Sequence, residues 1–204
     1  MQLKLHQKQL KIVIISLLLV AFVIAISYIG LNMYSRSIDV SIQGVNYQLG
    51  PENGSNIQPE TVRLKGKWSR SLKGIRKFRG TITFAHETIP VPKESLETTI
   101  RFDKNGYGLI IYTYFEKSGS MNVKPRIYTY GALFANADFS AVTFTKFREV
   151  ATKDDSKGSE WNGGDGLMFA GPAATRVQAL RISNELMQKH LRDDSYIGGQ
   201  FVLK

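Results

Sequence analysis

The chain of 204 residues contains no cysteine. That one absence removes a disulfide framework, a thiolate metal site and a cysteine nucleophile. Histidine is scarce too: only His6, His86 and His190 are present. His86 and Glu87 are adjacent, and neighbouring side chains of a strand point to opposite faces, which is poor geometry for sharing a metal. Asp154 and Asp155 open something like a calcium loop, but the later ligand positions and the closing glutamate are wrong. G-x-S-x-G, S-x-x-K, H-E-x-x-H, the P-loop and the dinucleotide fingerprint are all missing. We therefore assign no catalytic residue, no metal ligand and no cofactor. Acidic residues are also in deficit, with 17 Asp and Glu against 27 Lys and Arg, a net charge of +10.

Residues 12–31 read IVIISLLLVAFVIAISYIGL, without a charge. A helix rising about 1.5 Å per residue spans roughly 30 Å over such a length, the thickness of a bilayer's hydrocarbon core. Lys4, Lys8 and Lys11 flank one end, Tyr28, Tyr34 and Arg36 the other. The positive-inside bias then predicts a cytoplasmic tail over 1–11 and an extracytoplasmic remainder, anchored in the cell membrane by a single pass. A cleaved signal peptide is the competing reading. Ala25 and Ser27 loosely resemble its cleavage site, but the apolar run exceeds the usual h-region.

Beyond the anchor, 32–60 reads as a linker with one strand at 38–49 and a turn-rich loop at 51–59. Residues 61–204 read as one β-rich domain, large enough to fold on its own core. Even positions of 62–68 and 78–84 are apolar or glycine and odd ones basic or polar, the alternation of a half-buried hairpin. A three-residue loop at 73–75 would set Leu64 opposite Phe84, Gly66 opposite Ile82 and Trp68 opposite Gly80. Asn105-Gly106 predicts a two-residue turn pairing Phe102 with Leu109 and Ile100 with Ile111. A third pair is predicted at 126–135 and 139–147. After a polar loop at 152–160, Pro172 and the recurrence of Val177, Leu180, Met187 and Leu191 predict an amphipathic helix over 173–191. Residues 196–203 add a final edge strand or a loose tail. The expected fold is thus an N-terminal transmembrane helix plus a mainly antiparallel β (α+β) domain, with one C-terminal amphipathic helix packed on the sheet.

No acidic residue occurs between Thr61 and His86, whereas basic ones are dense there. In the predicted hairpin, Arg63, Lys65, Lys67, Lys77 and Arg79 share the outward face. Like charges on adjacent strands repel, so an anion or a distant acidic neighbour is expected to compensate them. These five are the candidate anion-binding residues, for an anionic wall polymer or lipid headgroups; the bland alternative is a solvated face whose lysines guard a sheet edge. The W-N-G-G-D-G segment at 161–166, ahead of a helix carrying Arg176, is a weaker anion cradle whose ordinary reading is a tight connector. Nucleic acid is disfavoured, because exposed aromatics do not interleave with the charges. A protein partner is left open.

K-G-K-W-S-R-S-L-K-G-I-R-K-F-R-G-T-I (65–82) and W-N-G-G-D-G-L-M-F-A-G-P-A-A-T-R (161–176) resemble uncharacterised small single-pass membrane proteins of Gram-positive, spore-forming bacteria. The resemblance brings no activity or site with it. The reading that follows is a membrane-anchored extracytoplasmic binding or scaffolding module. Its rival is a membrane-anchored hydrolase acting on cell-wall material, which would need His86, Asp165 or Glu160 to converge in a cleft.

Overall fold

The protein was analysed as a computed structural model that describes residues 2–33, 35–54, 56–71, 73–118, 122–151, 157–192 and 201–204. Helix α1 covers Gln2–Met33, so it extends beyond the apolar run at both ends. Along Lys11–Tyr28 it is long and apolar enough to cross a membrane. Leu17, Phe22 and Ile24 there are all more than half exposed and pack against nothing in the chain.

The strands are β1 (Arg36–Gln48), β2 (Ile57–Arg70), β3 (Arg76–Phe84), β4 (Glu97–Phe102), β5 (Gly108–Ser118), β6 (Asn122–Ala135), β7 (Val142–Lys146), β8 (Arg148–Ala151), β9 (Lys157–Glu160) and β10 (Leu167–Gly171). The first seven and β10 close into an antiparallel barrel, β1 to β7 each beside the next and β10 between β7 and β1. The antiparallel sheet and the C-terminal helix match the expectation; the closure does not. It comes from β1, which pairs with β2 along most of its length and uses its last residues again, Val45↔Ala170 through Gln48↔Leu167, against β10. Closure removes the free edge that the alternative reading had the lysines guard. β8 and β9 form a separate ribbon where a loop was expected, and β2 begins inside the predicted 51–59 loop. Asp154 and Asp155 lie outside the described residues.

Two registers differ from those predicted. β2 and β3 pair Leu64 with Ile82, Gly66 with Gly80 and Trp68 with Phe78, two residues from the expected alignment. The even-in, odd-out parity survives this shift. β4 and β5 pair Phe102 with Gly108, one residue off, and a slip of one exchanges the faces of a strand. Ile110 and Tyr112 therefore fill the barrel, while Ile111 and Phe115 face solvent. The cause is the turn. Asp103 accepts from the amides of Asn105 and Tyr107 through its side chain, and its own N–H donates to the Tyr107 carbonyl, a wider loop than Asn-Gly alone demands.

The barrel interior is packed rather than hollow. Trp68 meets Phe139 at 5.0 Å and Phe102 at 5.4 Å between ring centroids, edge to face, the arrangement that aromatic quadrupoles favour. Phe139, buried at φ 59° in the turn after β6, plugs the end where α1 enters. A second apolar layer lies outside the wall. There Val45, Tyr47, Phe134 and Met168 pack beneath α2 (Arg176–Leu186) and α3 (Gln188–Leu191). The side chain of Thr175 caps α2 by accepting from the Gln178 amide, so the helix starts three residues later than predicted. Its buried face is Ala179, Ile182 and Ser183, whereas Val177, assigned to that face from its spacing, is exposed. Within 201–204, Leu203 is buried and its amide donates to Asn184 Oδ1, so this part of the tail is neither an edge strand nor loose.

Ser183 joins helix to barrel. Its Oγ lies 2.7 Å from the Tyr47 hydroxyl and 2.8 Å from Thr143 Oγ1, all three buried. Ser183→Ala strands the Tyr47 phenol in an apolar layer and should cost about 2 kcal/mol. Chemical denaturation of the full chain in non-ionic micelles reads this loss, and the double change Ser183→Ala with Tyr47→Phe should recover part of it.

Candidate functional site

Away from the apolar patch under α2, the outer face of β2 and β3 carries the basic residues. Arg63, Lys65, Lys67 and Arg79 are exposed on it and Lys77 is half-buried. The expected acidic compensation is present for two of them. Arg63 grips Asp39 of β1 through Nε at 2.9 Å and Nη2 at 3.0 Å. Arg79 Nε donates to Glu97 of β4 at 2.6 Å. The guanidinium of Arg63 holds the Asp39 carboxyl below its ordinary pKa, so this pair persists into mildly acid solution. Lys65, Lys67 and Lys77 form no ion pair among the described residues. The register also sets cation opposite cation three times: Lys67↔Arg79, Arg70↔Arg76 and Lys77↔Arg101. These pairs lie toward the end of the barrel where α1 joins, with Lys73 and the half-exposed Ile75 in the adjoining turn. Arg76 leans over the Phe102 ring at 5.5 Å, and burial lowers its pKa.

The opposite, distal end of the barrel has a polar mouth that reasoning from the sequence missed. A cavity of about 400 Å³ is lined there by Asn46, Glu60, His86, Glu87, Lys146 and Leu167, among others. Glu60 is buried, and Oε1 accepts from the amides of Thr61 (2.8 Å), Ala85 (3.0 Å) and His86 (3.1 Å). His86 Nδ1 stands 3.3 Å from the same carboxylate. Lys146 is paired with Glu87 and lies over the Phe84 ring, 5.2 Å from its centroid. The only advance signal for this group was that a glutamate and a lysine occupy core-parity positions of β2 and β7.

His86, Asp165 and Glu160 do not converge in this mouth. Asp165 instead accepts from Arg148 at 3.1 Å, which lowers its pKa, and Glu160 is on the β9 ribbon. His190 stacks on Tyr107 and lies tilted against Phe134, its ring centroid 5.3 Å from each. No cluster of metal-ligating side chains occurs among the described residues.

The 161–166 segment is a connector. Asn162 Oδ1 accepts from the amides of Gly164 (2.8 Å) and Asp165 (3.0 Å), folding the glycines back on themselves. Arg176 donates to the carbonyls of Gln48 (3.2 Å) and Gly50 (2.9 Å). The basic wall and the distal mouth are where charged side chains gather. No protein-family model, curated protein or solved structure matches the chain.

Proposed function

We propose that the protein is a membrane-anchored extracytoplasmic binding module, its barrel docked through the basic wall and rim of β2–β4 onto anionic headgroups of the membrane that α1 crosses. Lys4, Lys8 and Lys11 at the N-terminal end of α1 favour a cytoplasmic start and an exported barrel. The observation that carries the reading is the gathering of three cation-to-cation cross-strand pairs beside the α1 end. Lys67↔Arg79 and Lys77↔Arg101 lie on the outer face and Arg70↔Arg76, of inward parity, at the rim; of the six, only Arg79 has an ion-pair partner among the described residues. Like charges directly opposite one another destabilise a sheet, and a closed barrel has no room to splay them apart. An anionic surface relieves the repulsion, at about 1 kcal/mol per cation near it. Only residues 34 and 35 separate α1 from β1, so this rim stays within reach of the bilayer. Headgroups are favoured over a free wall polymer because the pairs cluster at that end rather than along the whole wall.

The hydrolase reading has His86 beside Glu60 in its favour. Yet Oε1 of that carboxylate is already taken by backbone amides, which makes Glu60 a brace for the loop rather than a free base.

Docking can be read by lysine acetylation of the full chain in nanodiscs. Lys67, Lys73 and Lys77 should be acetylated severalfold more slowly on discs containing phosphatidylglycerol than on phosphatidylcholine alone. The protection should vanish in about 0.5 M salt, while exposed Lys189 on α3 serves as the unprotected reference. Changing Lys65, Lys67 and Arg79 together to glutamine should release the barrel, seen as restored reactivity of Lys77. Equal rates on both kinds of disc would reject headgroup docking. Protection that appears only when a soluble polyphosphate is added would reassign the wall to a polymer.

A further inference from the structure

The distal mouth is independent of the basic wall and faces away from the α1 end. Three features set it apart from a solvated rim. The first is a cation held inside the barrel: the Lys146 side chain is only 13% exposed, against 32% for its partner Glu87. The second is unsatisfied polarity. Asn46 Oδ1 lines the cavity and the Tyr112 hydroxyl lies in the barrel interior, both buried and without a hydrogen-bond partner. Buried polar atoms are almost always paired, and each exception calls for a reason. The third is asymmetry in how the two carboxylates are held. Glu60 is pinned by three backbone amides, whereas the Glu87 carboxylate is held by side chains, Lys146 and the adjacent Tyr130 phenol. Glu87 sits on the 85–96 loop, which is fastened to the core by the buried Ile89, so a rotation of its side chain frees Lys146 without moving the loop.

We propose that the distal mouth binds a small monocarboxylate with an apolar body, and that Glu87 is an internal carboxylate which the ligand displaces from Lys146. The exchange is one carboxylate for another, so the ammonium keeps a partner throughout and no buried charge is left bare. Leu167, Met168 and Pro59 line the cavity and offer the apolar contact, while the ring of Phe84 lies beneath the ammonium. The unpartnered Asn46 carbonyl oxygen suits a hydroxyl or amino donor elsewhere on the ligand. Charge selects against phosphate. One lysine stands among two carboxylates, Glu60 and Glu87, so a second negative charge on the ligand would enter a site already neutral or negative. The phenol of Tyr130 responds to the same field: burial, then the nearby Glu87 carboxylate, raises its pKa.

The test uses the full chain in non-ionic micelles, with acetate, benzoate and phenylacetate as probes and inorganic phosphate as the contrast, titrated by calorimetry and by saturation-transfer NMR. Benzoate or phenylacetate should bind in preference to phosphate. Glu87→Gln removes the competing charge and should tighten binding about tenfold. Lys146→Met should weaken it by at least about tenfold, the discrimination that a buried charge-assisted hydrogen bond provides. Glu87 is partly exposed, so its variant tests the idea even if Lys146→Met folds poorly, and melting curves identify that case. Failure of Glu87→Gln to bind any of the three carboxylates would overturn the proposal. So would unchanged affinity in a folded Lys146→Met, or phosphate binding tighter than every carboxylate. None of these outcomes bears on headgroup docking.

Discussion

Gly80→Ala should destabilise the barrel by about 3 kcal/mol, a large loss for a single methyl group. A Cβ added at Gly80 would stand 2.1 Å from the carbonyl oxygen of Lys65 and 2.5 Å from the Cα of Gly66. The reciprocal change at Gly66 would meet the Arg79 carbonyl oxygen at 2.2 Å. These neighbours are backbone atoms of the facing strand, so no rotamer change can relieve the overlap. The strands would have to part, at the expense of ladder hydrogen bonds on both sides. Gly54→Ala is the control, because its Cβ would come no nearer than 3.6 Å to any atom, the Pro51 carbonyl oxygen; it should change stability by less than about 0.5 kcal/mol. Urea unfolding in non-ionic micelles, followed by the fluorescence of buried Trp68, measures both. If Gly80→Ala unfolds like the parent, β2 and β3 are not in this register. In the alignment expected from the sequence, Gly80 faced Trp68, whose side chain could have moved aside.

Glu60→Ala should cost about 3 kcal/mol and loosen the loop across the distal mouth. The substitution removes the acceptor for the amides of Thr61 and His86 and one of two acceptors for Ala85, whose N–H also donates to the Thr61 carbonyl. Leaving these part-buried donors short of partners costs up to about 1–3 kcal/mol each, which outweighs the relief of no longer burying a carboxylate. Hydrogen exchange at Ala85 and His86 should accelerate by about two orders of magnitude, following the lost stability of the loop. Glu60→Gln keeps an accepting oxygen in the same place and should lose less than half as much. Equal losses for the alanine and glutamine variants would mean that the negative charge, not the acceptor geometry, holds the loop.

The basic wall was legible because its chemistry is local. Arg63, Lys65, Lys67, Lys77 and Arg79 fall on one parity of two adjacent strands, and parity survives a register error of two. Their partners were not legible, because Asp39 and Glu97 belong to neighbouring strands and meet Arg63 and Arg79 only through the ladder. β5 was misread for a different reason. Leu109, Ile110, Ile111 and Tyr112 are apolar in succession, so alternation cannot choose a face, and the choice fell to the turn built on Asp103. That choice leaves Phe115 and Ile127 about 70% exposed on one side of the β5–β6 hairpin.

The amino-acid order alone determined what depends on near neighbours: an uncharged apolar run long enough to span lipid, strands that alternate, and a helix within 173–191. Tertiary structure decided what depends on residues far apart in the chain. Closure joins β1 to β10, and the mouth gathers Glu60, Glu87 and Lys146 from separate parts of the chain. The physical reason is that side-chain periodicity records which way a residue points along its own strand, whereas hydrogen-bond register and barrel closure are set by backbone contacts between strands, such as the glycine pair at 66 and 80.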